Sequence, residues 1–390
     1  MSKRIFELAL PKGNISATCE ICGNKATTKC ETCRVTHYCS KDHKVIDAIS
    51  FHKKVCQKFA DIRKERPLPY TETDRINVAE TLLQKKQEVL RLATSVTQKW
   101  LLERKPINAY PSAMIAWNMA RDLRSHDSSE VIYPTCLVSE MFLNLGDFKA
   151  AQKYMIQASW IAQKYDILPA TIISQLNRLR GMVFMTVGNW KQGLESFAEF
   201  VYAVAHEYGV ADIRLGVPYG FLGMALLKFN KVDGAMSSFH KMADKWLDYM
   251  LTQYEQKTMR IATENEMASD YKIQEVEFQY MEAKNVFEWV YETVRELGMN
   301  ATTDLINFKI LCFQVLCEIR ENNPNAAVVY REEALATAIR TKQIKSVPTK
   351  RIPLLIEILG ADFLHLWEMK HNRPRTIATK YLEMIKAINV

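Results

Sequence analysis

The sequence predicts an all-α protein in which a solenoid of helical hairpins follows a small metal-stabilised segment. Three observations support this fold class. From Ile76 onward, apolar residues recur at intervals of three and four, with no hairpin signals between them. A short motif recurs with a period of 42 residues, which indicates a repeat array. Six of the nine cysteines lie between Cys19 and Cys56, a density that is typical of a metal-binding segment.

The length and composition are those of a globular protein with more than one structural unit. A chain of 390 residues exceeds the size at which one hydrophobic core keeps growing. Hydrophobic residues at 48%, with only 13 Gly and 12 Pro, argue against a disordered chain. The best candidate for a membrane helix, residues 305–319, contains Lys309 and Glu318, so no span is expected. The first residues lack the apolar core of a secretory signal, and we expect a reducing compartment.

The cysteine spacing predicts two zinc sites. The six thiols form two Cys-x2-Cys pairs followed by two single cysteines: Cys19 and Cys22, Cys30 and Cys33, Cys39, and Cys56. Such pairs are metal knuckles, since the tight turn between the cysteines points both sulfurs at one ion. Two tetrahedral sites need more ligands than six thiols provide, so two histidines must complete the set. His43 and His52 each lie four residues from a cysteine, a spacing that lets both side chains reach one ion.

The whole cluster resembles the MYND zinc finger, including the segment 38–40 and the final His-x3-Cys. That family interleaves its ligands. The resemblance therefore implies two Cys3His sites, one formed by Cys19, Cys22, Cys39 and His43 and the other by Cys30, Cys33, His52 and Cys56. Because all four ligands of each site are protein groups, both zinc ions are expected to be structural, and folding of the segment should require them.

Two positions depart from the MYND pattern. His43 stands where a cysteine is more usual, and the alternative is an exposed His43 with the first zinc completed by His37 or by water. The tryptophan that helps the family hold proline-rich peptides is absent around Asp47, Ala48 and Ile49. Peptide capture of that type is therefore not implied.

Most of the net charge of +8 lies at the N-terminal end. Residues 1–66 hold 14 Lys and Arg against seven Asp and Glu, which leaves +7 there and a nearly neutral remainder. Two zinc ions, each bound by three thiolates, would lower this charge to about +5. Sequence-specific nucleic-acid binding is therefore not expected. An acidic protein surface such as that of the tubulin doublet is a candidate partner for the finger.

The chain divides into five predicted segments. They are an N-terminal segment 1–18, the finger 19–56, a linker 57–75, repeats over 76–243, and long helices with degenerate repeats and a C-terminal cap over 244–390. The charged linker contains Pro67 and Pro69. Because it separates finger from helices, loss of metal is expected to unfold the finger and leave the helices intact.

The repeats are centred on a predicted turn between two helices. Segments 145–151, 187–193 and 229–235 correspond position by position, and a fourth copy lies at 103–109. Each copy ends on a small residue: Ala109, Ala151, Gly193 and Ala235. This pattern resembles the tetratricopeptide repeat, in which a small residue on the second helix lets the two helices approach closely. The usual period is about 34 residues, so longer helices are expected, with prolines near the start of first helices at positions 134, 169 and 218.

Beyond the fourth copy the strict period is lost. Residues 244–298 are predicted to form two long amphipathic helices, and the small-residue spacing resumes at Ala327 and Ala334. A terminal helix pair over 352–369 and 374–388 is expected to close the array, since the end repeat of a solenoid needs one polar face.

The inner face of a solenoid is its usual binding surface. In this register the predicted partner groove includes Tyr133, Glu140, Arg178, Met182, Met185 and Met224. The alternative is that methionines at helical spacing fill the core.

An enzymatic function is not expected. No dinucleotide-binding, P-loop or nucleophile-elbow glycine motif occurs. The SET methyltransferases that also carry a MYND finger are disfavoured, because no strand-rich region or Asn-His-x-Cys segment is present. The remaining cysteines, Cys136, Cys312 and Cys317, lie in apolar helices and are expected to be core thiols.

The combination of a MYND finger with four 42-residue units resembles a family of axonemal proteins of cilia and flagella. The resemblance implies a non-enzymatic scaffold that is associated with an inner-arm dynein heavy chain and with a second tetratricopeptide-repeat protein, similar to tetratricopeptide repeat protein 29. It implies a cytoskeletal location in the axoneme. The alternative is a cytosolic co-chaperone or transcriptional co-regulator that recruits peptides through its finger.

Overall fold

The computed structural model describes residues 17–64, 70–298, 301–340, 351–360 and 363. It confirms the all-α fold class: a solenoid of helical hairpins that follows a small finger. The chain divides into two compact units, one up to Leu168 and the other from Pro169 onward. Almost all of the predicted segment 1–18 lies outside the described residues, as do the prolines of the predicted linker.

The first unit contains the finger and two helical hairpins. The finger has two short antiparallel strands, β1 (Thr28–Lys29) and β2 (His37–Tyr38), with Thr28 opposite Tyr38. Its helices are α1 (Lys41–Asp47) and α2 (Lys53–Arg63), which are joined without a break by a π-helical turn over Ala48–His52. The two hairpins are built from α3 (Glu72–Leu102), α4 (Pro106–Leu123), α5 (Ile132–Asn144) and α6 (Phe148–Ala162).

The second unit continues the hairpins and ends in longer helices. Its elements are α7 (Ala170–Thr186), α8 (Trp190–Tyr208), α9 (Gly216–Lys228), α10 (Val232–Glu255), α11 (Glu264–Ser269), α12 (Tyr271–Glu296), α13 (Ala301–Arg320), α14 (Pro324–Arg340) and α15 (Ile352–Leu359). No helix in the described part of the chain is long and apolar enough to cross a bilayer.

The hairpin turns share one backbone conformation. The middle residue of each turn has a positive φ, and these residues are Arg104 (57°), Gly146 (81°), Gly188 (83°), Asn230 (56°) and Asn322 (54°). The next residue donates its N–H to the carbonyl five positions back, as in Asp147 to Phe142 at 3.0 Å. This is a Schellman motif, which ends the first helix and satisfies its last carbonyls. The first four turns lie 42 residues apart, as the sequence predicted. The fifth turn, at Asn322, stands five residues before Ala327, where the sequence predicted that the small-residue spacing resumes.

The small residues of the repeat are buried where paired helices approach. Ala109, Ala151 and Ala235 on the second helices are fully buried. Gly181 on α7 faces Phe197 on α8, and an added Cβ would lie 2.3 Å from the Phe197 ring. The same geometry recurs one period later between Gly223 on α9 and Phe239 on α10, at 2.4 Å. Each glycine thus makes room for a buried aromatic ring.

The linker predicted over residues 57–75 is largely helical where the structure describes it. Helix α2 occupies Lys53–Arg63, and α3 begins at Glu72. Three buried side chains of the finger share a hydrophobic cluster with α3 and α4: Phe51, Val55 and Phe59 against Val89, Ala93, Val96, Ile115, Ala116 and Met119. Since the two elements use one core, the expectation that the helices are indifferent to loss of metal has to be revised.

The boundary predicted at residue 243 lies inside a helix. Helix α10 runs unbroken through it from Val232 to Glu255. Residues 244–298 hold the end of α10, the short α11 and the long α12 rather than two long helices. The spacing at Ala327 and Ala334 marks a real hairpin, α13 with α14, in which both alanines are buried. Of the predicted terminal pair, α15 covers Ile352–Leu359, and residues 374–388 lie outside the described residues.

Candidate metal centres

The first cluster brings together Cys19, Cys22, Cys39 and His43, whose ligand atoms all lie within 4.8 Å of one another. Cys19 Sγ and Cys39 Sγ lie 3.5 and 3.3 Å from His43 Nδ1. Cys22 Sγ and Cys39 Sγ are 3.5 Å apart. Donors at about 2.0 to 2.3 Å from a tetrahedral zinc ion stand about 3.3 to 3.8 Å apart, so these spacings fit one ion.

The second cluster brings together Cys30, Cys33, His52 and Cys56, again within 4.8 Å. His52 Nε2 lies 3.3 Å from Cys30 Sγ and 3.7 Å from Cys33 Sγ. Cys30 Sγ and Cys56 Sγ are 3.9 Å apart. Both clusters therefore have the Cys3His composition that the resemblance implied, and His43 rather than His37 completes the first set.

The two Cys-x2-Cys pairs form matching knuckles. The backbone N–H of Gly23 donates to the carbonyl of Cys19 at 2.9 Å, and that of Arg34 donates to the carbonyl of Cys30 at 3.1 Å. Gly23 and Arg34 both have positive φ, at 72° and 61°. This conformation costs glycine little and other residues more, so Arg34 is held there by the fold of the knuckle.

His43 is positioned by the start of a helix, whereas His52 and Cys56 lie one turn apart in a continuous helical segment, as the spacing predicted. Cys39 lies before α1, and Ser40 is the residue that caps the helix. The Ser40 hydroxyl accepts the His43 N–H at 3.2 Å, which fixes His43 in the first turn. His52 ends the π-helical turn, and Cys56 follows in α2. Such π-helical turns inside helices are frequent at functional sites.

A buried carboxylate supports the second site. Tyr38 donates its hydroxyl to Asp47 Oδ2 at 2.8 Å, and the same oxygen lies 3.7 Å from His52 Nδ1. Asp47 and His52 are both buried. When His52 Nε2 binds zinc, its Nδ1 side faces a carboxylate, the usual arrangement that orients a ligating histidine. The sequence did not single out Asp47 for this role, because nothing in its spacing distinguishes it.

An ion pair ties the end of the finger to its beginning. Arg63 donates two hydrogen bonds to the Glu20 carboxylate, at 2.7 and 2.6 Å, and its guanidinium lies 4.2 Å from the Phe59 ring. The bidentate geometry makes this a stronger contact than most surface pairs. This ion pair holds helix α2 against the first knuckle. It could not be predicted from the sequence, because the two residues lie far apart in the chain.

The thiols differ in acidity before metal binds. Burial raises the pKa of Cys22 to about 11 and that of Cys56 to about 12. Burial also opposes ionisation of Cys19, but hydrogen bonds from the backbone of Cys22 and from His43 outweigh it and lower its pKa to about 6. Zinc binds thiolates, so metal uptake must displace protons from Cys22 and Cys56.

These two sites are suited to structural zinc ions. Each cluster offers four protein ligands, which fills a tetrahedral zinc ion and leaves no position for an activated water. The residues fit two zinc ions, and the composition, the geometry and the buried carboxylate agree on this. The centres therefore belong to a domain that is stabilised by zinc.

Comparison with known protein families agrees with this class. Residues 19–56 match the MYND finger. The match begins and ends on the first and last ligands, Cys19 and Cys56, and so covers both clusters. This match, together with the two clusters, confirms the prediction of two structural zinc ions. Because the MYND finger is a protein-interaction module, the match also supports protein partners in general.

The exposed surface of the finger is basic with two aliphatic side chains. Val45 and Ile49 are 54% and 64% exposed, and they lie beside the position where the family tryptophan is absent. Exposed lysines surround the knuckles and helices: Lys25, Lys29, Lys41, Lys53 and Lys54. Two acidic side chains of the finger, Glu31 and Asp42, are also exposed, so the exposed lysines outnumber the exposed acids.

The first unit contains two residues of the predicted partner groove, Tyr133 and Glu140, both partly buried on α5. Tyr133 donates its hydroxyl to Gln98 Oε1 on α3 at 3.0 Å. It also packs against the hydrophobic cluster of α4 and α5. Tyr133 thus has a structural role within its own unit.

The second unit contains the other four. The Arg178 side chain is 10% exposed and pairs with Glu282 at 2.6 Å, so its charge is already neutralised. The three methionines, Met182, Met185 and Met224, are partly buried and pack against the main core. These placements give all four a part in packing, and a partner groove at these residues stays a prediction.

Proposed function

We propose that the protein is a non-enzymatic scaffold of the axoneme of cilia and flagella, where it docks or stabilises an inner-arm dynein. A MYND finger and a solenoid of helical hairpins are both interaction modules. The observation that carries the proposal is the hydrophobic cluster shared by the finger and the first hairpin. Because one core holds the finger and the first hairpin, these two parts of the first unit present one continuous surface rather than two tethered ones.

The choice of the axoneme rests on resemblance. The chain resembles zinc finger MYND domain-containing protein 12 in the segment 10–13 before the finger, the four 42-residue units and the segment 211–214 before the fourth unit. That resemblance supports an inner-arm dynein heavy chain and a second tetratricopeptide-repeat protein, similar to tetratricopeptide repeat protein 29, as partners. It also supports a cytoskeletal location in the axoneme.

The exposed basic surface of the finger supports contact with an acidic partner. Lys53 and Lys54 on α2 and Lys41 on α1 are exposed. A positive surface attracts an anionic one over about 10 Å at moderate salt. The doublet microtubule, whose tubulin surface is acidic, is a partner of this kind.

Deletion of the protein from a ciliated cell tests the proposal. Isolated axonemes should lose one inner-arm dynein species, while outer-arm dyneins remain at their normal level as the internal control. Re-expression of the wild-type chain should restore the missing species. An unchanged complement of inner-arm dyneins after complete deletion would contradict the proposal and favour a soluble co-chaperone or co-regulator.

A further inference from the structure

Helix α6 of the first unit carries an apolar stripe on the side that faces away from its hairpin. Its other side is buried through four residues: Ala151, Met155, Ala158 and Ile161. On the outer side, Phe148, Ile156 and Trp160 are 47%, 55% and 53% exposed. With Gln152 they follow a spacing of four residues, which places them along one face of the helix. Helix α6 is therefore apolar on two opposite sides.

The exposed stripe is large for the surface of a single chain. A large apolar side chain has about 200 Å² of surface, so these three together expose about 300 Å². An apolar patch of this size on a monomer often has a function. A helix that is apolar on opposite sides is normally buried on both of them. The stripe therefore has the character of a surface that a partner covers.

The charges on the outer side of α6 are positive. Lys149 and Lys153 are exposed beside the stripe, and neither forms an ion pair with a residue that the structure describes. Helix α6 contains no acidic residue. The neighbouring acids lie beyond its ends: Asp147 caps the helix by accepting the N–H of Ala150 at 3.0 Å, and Asp166 follows it. A partner with negative charge beside its apolar residues is therefore complementary to this face.

The Trp160 ring is held in place by its own unit. Lys164 Nζ lies 3.4 Å from the centre of the ring, and it also forms an ion pair with Asp127 at 2.7 Å. A cation over an indole ring is an attractive contact, so it restricts the orientation of the ring. Tryptophan is enriched among the residues that dominate binding energy, and a side chain that is already ordered loses less entropy on binding. Trp160 is therefore suited to anchor a partner.

The charge of this face favours a protein helix over two other occupants. A second copy of the face would bring lysines next to lysines, which opposes association. Anionic membranes are recognised by clusters of about four to eight basic residues, whereas this face has two unpaired lysines. An amphipathic helix presents apolar residues at intervals of three and four, which matches the spacing of the stripe.

We propose that the outer side of α6 is a docking surface for an acidic amphipathic helix of a protein partner. The apolar residues of that helix lie against Ile156 and Trp160, and its acidic residues lie next to Lys149 and Lys153. The surface is outside the zinc finger, and the proposal does not depend on the axonemal function.

Titration of the full-length protein into fluorescently labelled peptides tests the proposal with three probes. The first is a synthetic helix of about 18 residues with leucines along one face and glutamates beside them. The second has lysines in place of the glutamates, and the third has the composition of the first in an order that forms no apolar face. By fluorescence anisotropy, we expect the first probe to bind with a dissociation constant below about 100 μM. The other two should bind at least about tenfold more weakly.

Variants place the bound probe on α6. Ile156→Ala combined with Trp160→Ala removes the centre of the stripe and should weaken binding of the acidic probe at least about tenfold. Lys149→Glu combined with Lys153→Glu should reverse the preference, so that the basic probe binds more tightly than the acidic one. Ile107→Ala, at a 60% exposed position on α4 of the same unit, is the matched control and should bind as the wild type does. All these positions are exposed, so the variants should fold.

Three results of the titrations would overturn the proposal. They are equal affinity of the wild type for the acidic and basic probes, no saturable binding of the acidic probe up to about 1 mM, and wild-type affinity in the Ile156→Ala, Trp160→Ala chain. Two further measurements detect the other occupants. Self-association in sedimentation velocity, or binding to vesicles that contain phosphatidylserine, would overturn the proposal if the same double variant abolished it.

Discussion

Trp100 donates its indole N–H to the backbone carbonyl of Ser50 at 3.3 Å. The donor lies near the end of α3 in the first hairpin, and the acceptor lies in the π-helical turn that leads to the zinc ligand His52. An ion pair extends the contact: Lys85 Nζ on α3 lies 2.7 Å from Asp61 Oδ2 on α2. The zinc-binding segment and the first hairpin are therefore in contact next to the segment that presents the ligand His52.

The metal content should distinguish the two histidines near the first site. We predict two zinc ions per wild-type chain, one per chain in His43→Ala, and two in His37→Ala. The reason is that His43 Nδ1 lies within 3.5 Å of two thiols, whereas His37 belongs to neither cluster. Elemental analysis of purified protein measures this directly. A full complement of zinc in His43→Ala would show that another group, such as water, completes that site.

Loss of the second zinc should reach beyond the finger. Cys30→Ser removes a thiolate ligand and should unfold residues 19–56, because structural zinc supplies the folding free energy of such segments. The shared cluster would then lose one side, and amide hydrogen exchange should accelerate in α3 and α4. Exchange in α9 and α10 serves as the internal control and should not change. Unchanged exchange rates in α3 and α4 would contradict this prediction. They would instead support the expectation from the sequence that the helices stay intact when the metal is lost.

The interface core should be sensitive to a single truncation. Phe59 is fully buried in the cluster shared with the first hairpin. Phe59→Ala should lower the free energy of unfolding by about 3 to 5 kcal/mol, from lost transfer free energy and the cavity that remains. Ile49→Ala, at a 64% exposed position of the same segment, should change it by less than about 0.5 kcal/mol. Chemical denaturation measures both, and similar values for the two variants would contradict a shared core.

The close approach of paired helices should be testable at one glycine. Gly181→Ala places a Cβ 2.3 Å from the Phe197 ring and should destabilise the second unit by about 1 to 3 kcal/mol through overpacking. Phe197→Leu in the same chain should recover part of the loss, because the smaller side chain makes room. Gly146→Ala, where no atom lies within 4 Å of the added Cβ but φ is 81°, should cost about 1 to 2 kcal/mol through backbone strain alone. Rescue of Gly146→Ala by Phe197→Leu would contradict this assignment.

The basic surface of the finger should control axonemal retention in a salt-dependent way. Reversing the charges of Lys3, Arg4, Lys53 and Lys54 together changes no zinc ligand. Retention on axonemes should fall, and wild-type retention should weaken steeply between about 50 and 200 mM salt because exposed charges are screened over about 10 Å. The interactions of residues 76–390 with their partners should survive. If the four reversals leave retention unaltered, the lysines only solvate the finger and the anchoring lies in the repeats.

The zinc ligands of the finger could be predicted from the sequence, because residues that bind one ion recur at characteristic intervals. Thiols and imidazoles at fixed intervals have few alternative explanations, so the candidate ligands between Cys19 and Cys56 could be found from the spacing. Their division into two clusters came from the resemblance to the MYND finger. The charged residues that hold the ligands in place do not recur at characteristic intervals. Asp47 beside His52 and Arg63 on Glu20 are single charged residues whose partners are chosen by the fold.

The repeat was readable where its period held. The turns at Arg104, Gly146, Gly188 and Asn230 lie 42 residues apart, so comparing the sequence with itself was sufficient. Asn322 forms the same turn, but α11 and α12 lie between it and Asn230 and hide the period. The junction with the finger was also hidden, because Phe51, Val55 and Phe59 follow a helical spacing that does not reveal which neighbour they contact.

Fractionation of ciliated cells tests the proposed scaffold function most directly. The measurement is the share of the protein that stays with detergent-extracted axonemes and is then released by high salt. We predict that most of the protein stays with the axonemes and leaves together with inner-arm dynein, because exposed ionic contacts weaken as salt rises. Recovery of the protein in the soluble pool of the cell body, with none on the extracted axonemes, would contradict the account.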